Sequence, residues 1–173
     1  LIQSGIHAGE IDGKDACLML LRDIAVTKTK ASLLDHAVIL IIPIYNVDGH
    51  ERFGRFNRIN QQGPEEMGWR VTSQNLNLNR DYLKADAPET QAWLSLFHRW
   101  LPDLFVDCHV TDGADFQHAV TYGVETHELL AEPVRSWVRD EFLPVLSRLS
   151  NDGIPFVPYI FLRDDLDPLK GLQ

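Results

Sequence analysis

The run Ala37-Val-Ile-Leu-Ile-Ile42 constrains the fold of this chain more than any other segment. It is apolar and rich in β-branched residues, without the alternation of a strand that has one wet face. Such a run predicts a strand covered on both faces, in the middle of a sheet. The longest apolar stretch containing it, Ala37 to Ile44, is 8 residues long and is interrupted by Pro43. That is far short of the ~20 residues that span a bilayer, so no membrane span is expected.

The neighbouring segments supply helices for such a sheet. Leu1 to Ile6 reads as the tail of a buried strand, followed by a turn bracketed by Gly5 and Gly9. A helix then begins near Asp12 or Asp15, with Ala16, Cys17, Leu20, Leu21 and Ile24 on one face. Asp86-Ala-Pro-Glu89 resembles a capping box with Pro88 in the first turn, and Trp93, Leu96, Phe97 and Trp100 continue it as an apolar stripe ended by Pro102. Leu104 to His109 reads as a strand. After the Thr111-Asp-Gly-Ala turn, Gln117 to Tyr122 reads as another. A third helix is expected from Glu132 to Ser150, with Val134, Trp137, Val138, Val145, Leu146 and Leu149 inward, a kink at Pro144 and a cap at Gly153. Strands alternating with helices predict an α/β fold with helices packed on the sheet. A length of 173 residues fits one domain spanning residues 1–173.

Between the second strand and the second helix lies a polar, turn-rich stretch, Asn46 to Tyr82, containing Asn46-Val-Asp-Gly49 and Gly63-Pro64. A loop of this length inside a compact domain is usually functional. The formal net charge of −9 repels polyphosphates and no Lys/Arg cluster offsets it locally, so nucleic acid is not an expected partner. Cys17 and Cys108 are expected to be buried free thiols, which leaves the compartment open. No signal peptide is visible, although the chain starts inside an apolar segment without an initiator Met.

The chemistry concentrates in a few positions. Catalytic zinc takes three protein ligands and keeps a fourth position for water, and His-x-x-Glu is a compact source of two of them. His7-Ala-Gly-Glu10 has that spacing just after a strand, and His109 ends a strand of its own, so both lie at the carboxyl edge where open α/β sheets place their sites. Taken singly, His7 also fits an ordinary turn residue and His109 a strand-end histidine. His36, His50, His98, His118 and His127 lack a ligand-like partner at such spacing.

The order His7-Ala-Gly-Glu10, Trp69-Arg70, Asn79-Arg80 and His109 resembles the zinc carboxypeptidases of the M14 family, the carboxypeptidase A-like metallopeptidases. The Asn46-Val-Asp-Gly49 segment is similar to the family's Asn-Pro-Asp-Gly turn. The resemblance implies a mixed, mostly parallel sheet with helices on both faces, and one Zn2+ per chain held by His7, Glu10 and His109. It implies a metallocarboxypeptidase that hydrolyses a C-terminal peptide bond by a zinc-activated water. Arg70 would stabilise the oxyanion, and Asn79 and Arg80 would grip the free C-terminal carboxylate of a peptide or peptide-like substrate. A secreted or periplasmic setting goes with it. Other readings of the scaffold are an amidase or deacylase acting on small N-acylated amino acids or cell-wall peptides, and a non-catalytic zinc-binding domain.

The chain departs from the family pattern in places. Asn77 stands where many members have an Asp that bonds a zinc-bound imidazole, and Gly9 stands where digestive members have an Arg. The family's general-base Glu, preceded by a mobile Tyr, lies well downstream of the third ligand, and nothing in residues 156–173 resembles its strand. Asp164-Asp165-Leu166-Asp167-Pro168 reads as a solvated loop. The expectation is that the catalytic domain is incomplete at its C-terminal end, with the base beyond Gln173, and that this chain alone is inactive.

Overall fold

A computed structural model describes residues 1–61, 63–114, 116–125, 130–151 and 153–159 of the chain. The chain divides into two compact units, Leu1–Ala114 and Asp115–Gln173. The loop expected at residues 164–168, and His127, lie outside the described residues.

In the first unit, strands β1 (Ile2–Ser4), β2 (Ile41–Ile42) and β3 (Val106–Cys108) form a parallel sheet in the order β2-β1-β3. The register pairs Ile2 with Ile41, and Ile2, Gln3 and Ser4 with Val106, Asp107 and Cys108. The middle of the described sheet is therefore β1, not the Ala37–Ile42 run. Only the last two residues of that run join the ladder, and Val38 is exposed. Apolar character predicted a doubly covered strand, but the parallel ladder reaches only as far as β1 extends beside it.

Helix α1 (Asp12–Ala25) packs on this sheet through Gly13. A Cβ there would lie 2.4 Å from the Cys108 Cβ and 2.9 Å from the Ser4 Oγ. Asp12 and Asp15 in its first turn and Arg22 in its last complement the helix dipole. The expected apolar stripe is only partly realised: Cys17 and Ile24 are buried, whereas Leu21 is exposed. Helix α2 (Val47–Glu51) replaces the turn expected at Asn46–Gly49, with the Asn46 side chain accepting from the Gly49 N–H as its cap.

Helix α3 (Pro88–Trp100) starts at the expected Pro88, but its N-cap Ala87 has no side-chain cap. The capping carboxylate is Asp81, which accepts from the N–H groups of Asp86 at 3.0 Å and Ala87 at 2.9 Å. The helix ends at Leu101 in the left-handed conformation. Its Trp93 stacks on Phe97 and meets Tyr82 and Phe105 edge-on, anchoring a core of Ile6, Tyr45, Leu78, Ala87 and Trp93.

In the second unit, β4 (Val120–Tyr122) and β5 (Phe156–Pro158) pair in parallel as a separate two-stranded sheet. The expected long helix is α4 (Glu132–Trp137), a π turn over Val138–Phe142, and α5 (Leu143–Asn151). The wider turn lies just before Pro144, where the missing N–H breaks the i−4 ladder. No helix among the described residues is long and apolar enough to cross a membrane.

Candidate metal centre

The carboxyl ends of β1 and β3 lie side by side in the parallel sheet, so the segments that leave them emerge at one edge. Gly5 lets the first of these turn. It adopts φ +66° with Ile44 Cα 3.4 Å from where its Cβ would be, a conformation that favours glycine. The following residues, Ile6 to Glu10, are all buried. The Glu10 N–H bonds to the His7 carbonyl at 2.9 Å, closing the turn that brings the two side chains to the same side.

Glu10 is the hub. Its Oε1 accepts from Arg58 Nη2 at 2.9 Å and meets His7 Nδ1 at 2.8 Å. Its Oε2 meets His109 Nδ1 at 2.9 Å and accepts from the Val110 N–H at 3.2 Å. The two imidazole centroids are 5.1 Å apart. Burial pushes the Glu10 carboxyl up. The bonds from His109, His7 and Arg58, with the charge of His7, outweigh that and hold it well below the usual carboxylate range. For His109, burial opposes the charged form, but Asp107 and Glu10 push it up to about 9.

The three residues expected to hold a metal are thus brought together. His7, Glu10 and His109 each offer a ligand atom, and these atoms lie within 4.8 Å of one another. Two imidazoles and one carboxylate form a three-ligand set that suits catalytic zinc. One further polar atom goes unmatched: His7 Nε2 is buried with no hydrogen-bond partner among the described residues. Asn77, at the position where many family members carry an Asp, accepts from the Asn79 N–H at 3.1 Å.

Arg70, Asn79 and Arg80 are placed differently. Among the described hydrogen bonds and ion pairs, none joins their side chains to the cluster. The Arg70 carbonyl accepts from Asn46 Nδ2 at 3.1 Å, and Ser73 nearby is bound by Asp48, so helix α2 fixes the main chain of this segment. Trp69 packs under Arg52, whose guanidinium carbon is 4.8 Å from the ring centre. Asn79 and Arg80 lie in a 3-10 turn over Leu78–Arg80, and the exposed Arg80 donates from Nη1 to the Asn79 carbonyl at 2.7 Å.

Two site residues were missed from sequence. Arg58 is buried beside Glu10 with a side chain only 3% exposed, and its Nη1 has no partner among the described residues. Its stem lies over Gly9, where a Cβ would come within 2.7 Å of the Arg58 Cγ. The second is Asp107, whose Oδ2 is 3.1 Å from His109 Nε2. An Asp-Cys-His triplet at the end of a strand was the available signal, because residues i and i+2 share a face. No comparable sequence signal marks Arg58.

Comparison with known proteins agrees with this geometry. The model of the zinc carboxypeptidase family, peptidase family M14, matches residues 1–135. A probable carboxypeptidase 2 of Trichophyton verrucosum is 32% identical over 94% of this chain and 31% of its own length. Carboxypeptidase 2 of Trichophyton rubrum is 32% identical over 62% of this chain and 18% of its own length. A crystal structure titled as a carboxypeptidase, from Burkholderia mallei, shares the fold with a TM-score of 0.64 at 23% identity, over 90% of this chain and 37% of that one. The chain therefore spans about a third or less of the length of the relatives it matches. From the family model and the ordered ligand residues together, this chain belongs to the M14 family of zinc carboxypeptidases.

Proposed function

We propose that this sequence is the zinc-binding part of a metallocarboxypeptidase that hydrolyses a C-terminal peptide bond. The observation that carries the reading is the convergence of His7, Glu10 and His109 in a chain of this family. The activity in the names of its fungal relatives supports it. One zinc per chain would be held by those three residues. When bound, it supplies a Lewis acid for the scissile carbonyl and a water whose pKa falls to ~7.

The chain's own residues do the rest. Arg70 provides a cation for charge that develops on the carbonyl oxygen in the transition state, on a main chain held by Asn46. Asn79 and Arg80 take the substrate's terminal carboxylate, which a guanidinium fork matches with two parallel bonds. A general base must reach the attacking water. Glu10 is already engaged by Arg58, the Val110 N–H and the two imidazoles, and Asp107 by His109 and Gln3. The base in this reading comes from outside the described residues. A secreted or periplasmic setting belongs to the same proposal.

Elemental analysis of protein purified without added metal tests the centre. About one zinc per chain is expected in the wild type, by the three-ligand rule, and little in His7→Ala, Glu10→Ala or His109→Ala. Full occupancy in any variant overturns the ligand set. In an active enzyme carrying this sequence, Arg70→Ala should lower turnover roughly 100- to 1000-fold. Amidating the substrate's terminal carboxylate should raise KM. Unchanged kinetics with the amide would remove the clamp and favour an amidase.

A further inference from the structure

We propose that Asp107 is a positioning residue of the metal centre, orienting His109 through its Nε2 while Gln3, itself bonded to the Tyr82 hydroxyl, holds Asp107 in place. The inference rests on the zinc reading and concerns residues that the family motif does not mark in this chain.

The register of the sheet creates the arrangement. Gln3 on β1 lies directly beside Asp107 on β3, and its Nε2 donates to Asp107 Oδ1 at 3.0 Å and to the Tyr82 hydroxyl at 2.8 Å. Gln3 is fully buried, so both of its amide hydrogens are committed to these partners. The remaining Asp107 oxygen, Oδ2, is 3.1 Å from His109 Nε2, and the opposite ring nitrogen faces Glu10. With a metal bound, a ring that donates from Nε2 to a carboxylate would present Nδ1, with its lone pair, to the ion. A histidine ligand whose other nitrogen meets a carboxylate is fixed in tautomer and orientation and gains basicity.

The asymmetry of the centre gives the residue its weight. The other imidazole, His7, has no outer partner among the described residues, and Asn77 is turned to the backbone of its own segment. The one outer carboxylate on an imidazole of the described centre is therefore on β3 and not on the segment before Asn79-Arg80. Burial fixes His7, which is 4% exposed; His109 is on an open strand end, with its side chain 33% exposed, and depends on Asp107 for its orientation.

The test is zinc affinity of the 173-residue chain, measured by chelator competition, alongside the visible spectrum of the cobalt-substituted protein. Asp107→Ala should weaken zinc binding roughly 10- to 100-fold, the usual loss on removing an outer-shell partner. Asp107→Asn keeps an acceptor for the ring without the charge and should fall between Ala and wild type. Gln3→Leu should give a smaller loss, and all three should alter the cobalt spectrum. Unchanged affinity and spectrum in Asp107→Ala, with His109→Ala weakened, would overturn the positioning role and leave the zinc reading standing. Unchanged affinity in His109→Ala would overturn the zinc reading itself. A purely structural role for Asp107 would lower melting temperature in zinc-free buffer while zinc affinity and spectrum of the folded protein stayed as in wild type, and that outcome also overturns the proposal.

Discussion

Around Glu10 a single buried carboxylate meets an arginine, a backbone N–H and two imidazoles, whereas in the turn from Asn77 to Asp81 most of the recorded bonds run to backbone. There Asn77 accepts from the Asn79 N–H, the Arg80 N–H bonds the Asn77 carbonyl at 2.9 Å, and Asp81 caps helix α3. Leu78 anchors the turn in the core at 0% exposure, while Arg80 faces solvent. One half of the proposed site is thus made of mutually dependent charges and the other of a backbone turn, anchored by Leu78, that displays a guanidinium. Changes in the first half should disturb the fold and the metal together. Changes in the second should separate fold from ligand binding.

The largest effect expected from this contrast belongs to Glu10→Ala in zinc-free buffer. The substitution leaves Arg58, with a side chain 3% exposed, without its buried partner, and Asp112 at 3.6 Å is a poor substitute. Breaking a buried pair by removing one member costs about 3–5 kcal/mol. Denaturant unfolding measures it, and a loss below about 1 kcal/mol would show that the cluster is not held by that charge pair. Gly9→Ala probes the same pair without deleting a charge. Its Cβ would sit 2.7 Å from the Arg58 Cγ and 3.1 Å from the Gly68 carbonyl oxygen, an overpacking that should cost about 1–3 kcal/mol.

Asp81→Asn is the next step down, and it carries a pH signature. Burial pushes the Asp81 carboxyl up, but bonds from the Ala87 N–H, Thr90 and the Asp86 N–H, with the charge of Lys84, outweigh this and lower it. A lowered native value means the carboxylate stabilises the fold above its ordinary value of 3.8, and that this contribution is lost as pH falls through the native value. Loss of the charged cap should cost about 1 kcal/mol at neutral pH. The gap between wild type and variant should close as acid is added below the ordinary value. A gap independent of pH would mean that the carboxylate's charge does not hold the start of α3.

The convergence of His7, Glu10 and His109 was legible because its signals are short. His7 and Glu10 sit three residues apart in a turn, and His109 ends an apolar strand that the hydrophobic pattern exposes. The same reading located β1, α1 and α3 within a few residues. It failed where the deciding partner is remote. Arg58 reaches Glu10 across 48 positions with no periodicity to announce it, and nothing in the local sequence shows that Gly9 is the floor under the Arg58 stem. Asp81 took the capping role that local spacing gave to Asp86, because a folded turn delivers a carboxylate that the chain order does not place next to the helix. The Ala37–Ile42 run misled for a related reason: apolar content reports burial, but strand length is set by the neighbour that pairs with it.

Arg80→Ala should have the smallest effect on stability, and this makes it the sharpest test of the comparison. Its one recorded side-chain bond is to the carbonyl of the preceding residue, in an exposed setting, so its removal should change unfolding free energy by no more than about 0.5 kcal/mol. The core position of Leu78 and the cap by Asp81 hold the turn without it. If Arg80 clamps the substrate's carboxylate, the same variant in an active enzyme should bind substrate more weakly, with KM rising more than turnover falls, because the clamp acts in the ground state as well as the transition state. Zinc content should not move. A variant that unfolds more easily or loses zinc would show that Arg80 belongs to the charge network around Glu10 after all, and the division of the site into a metal half and a display half would have to be redrawn.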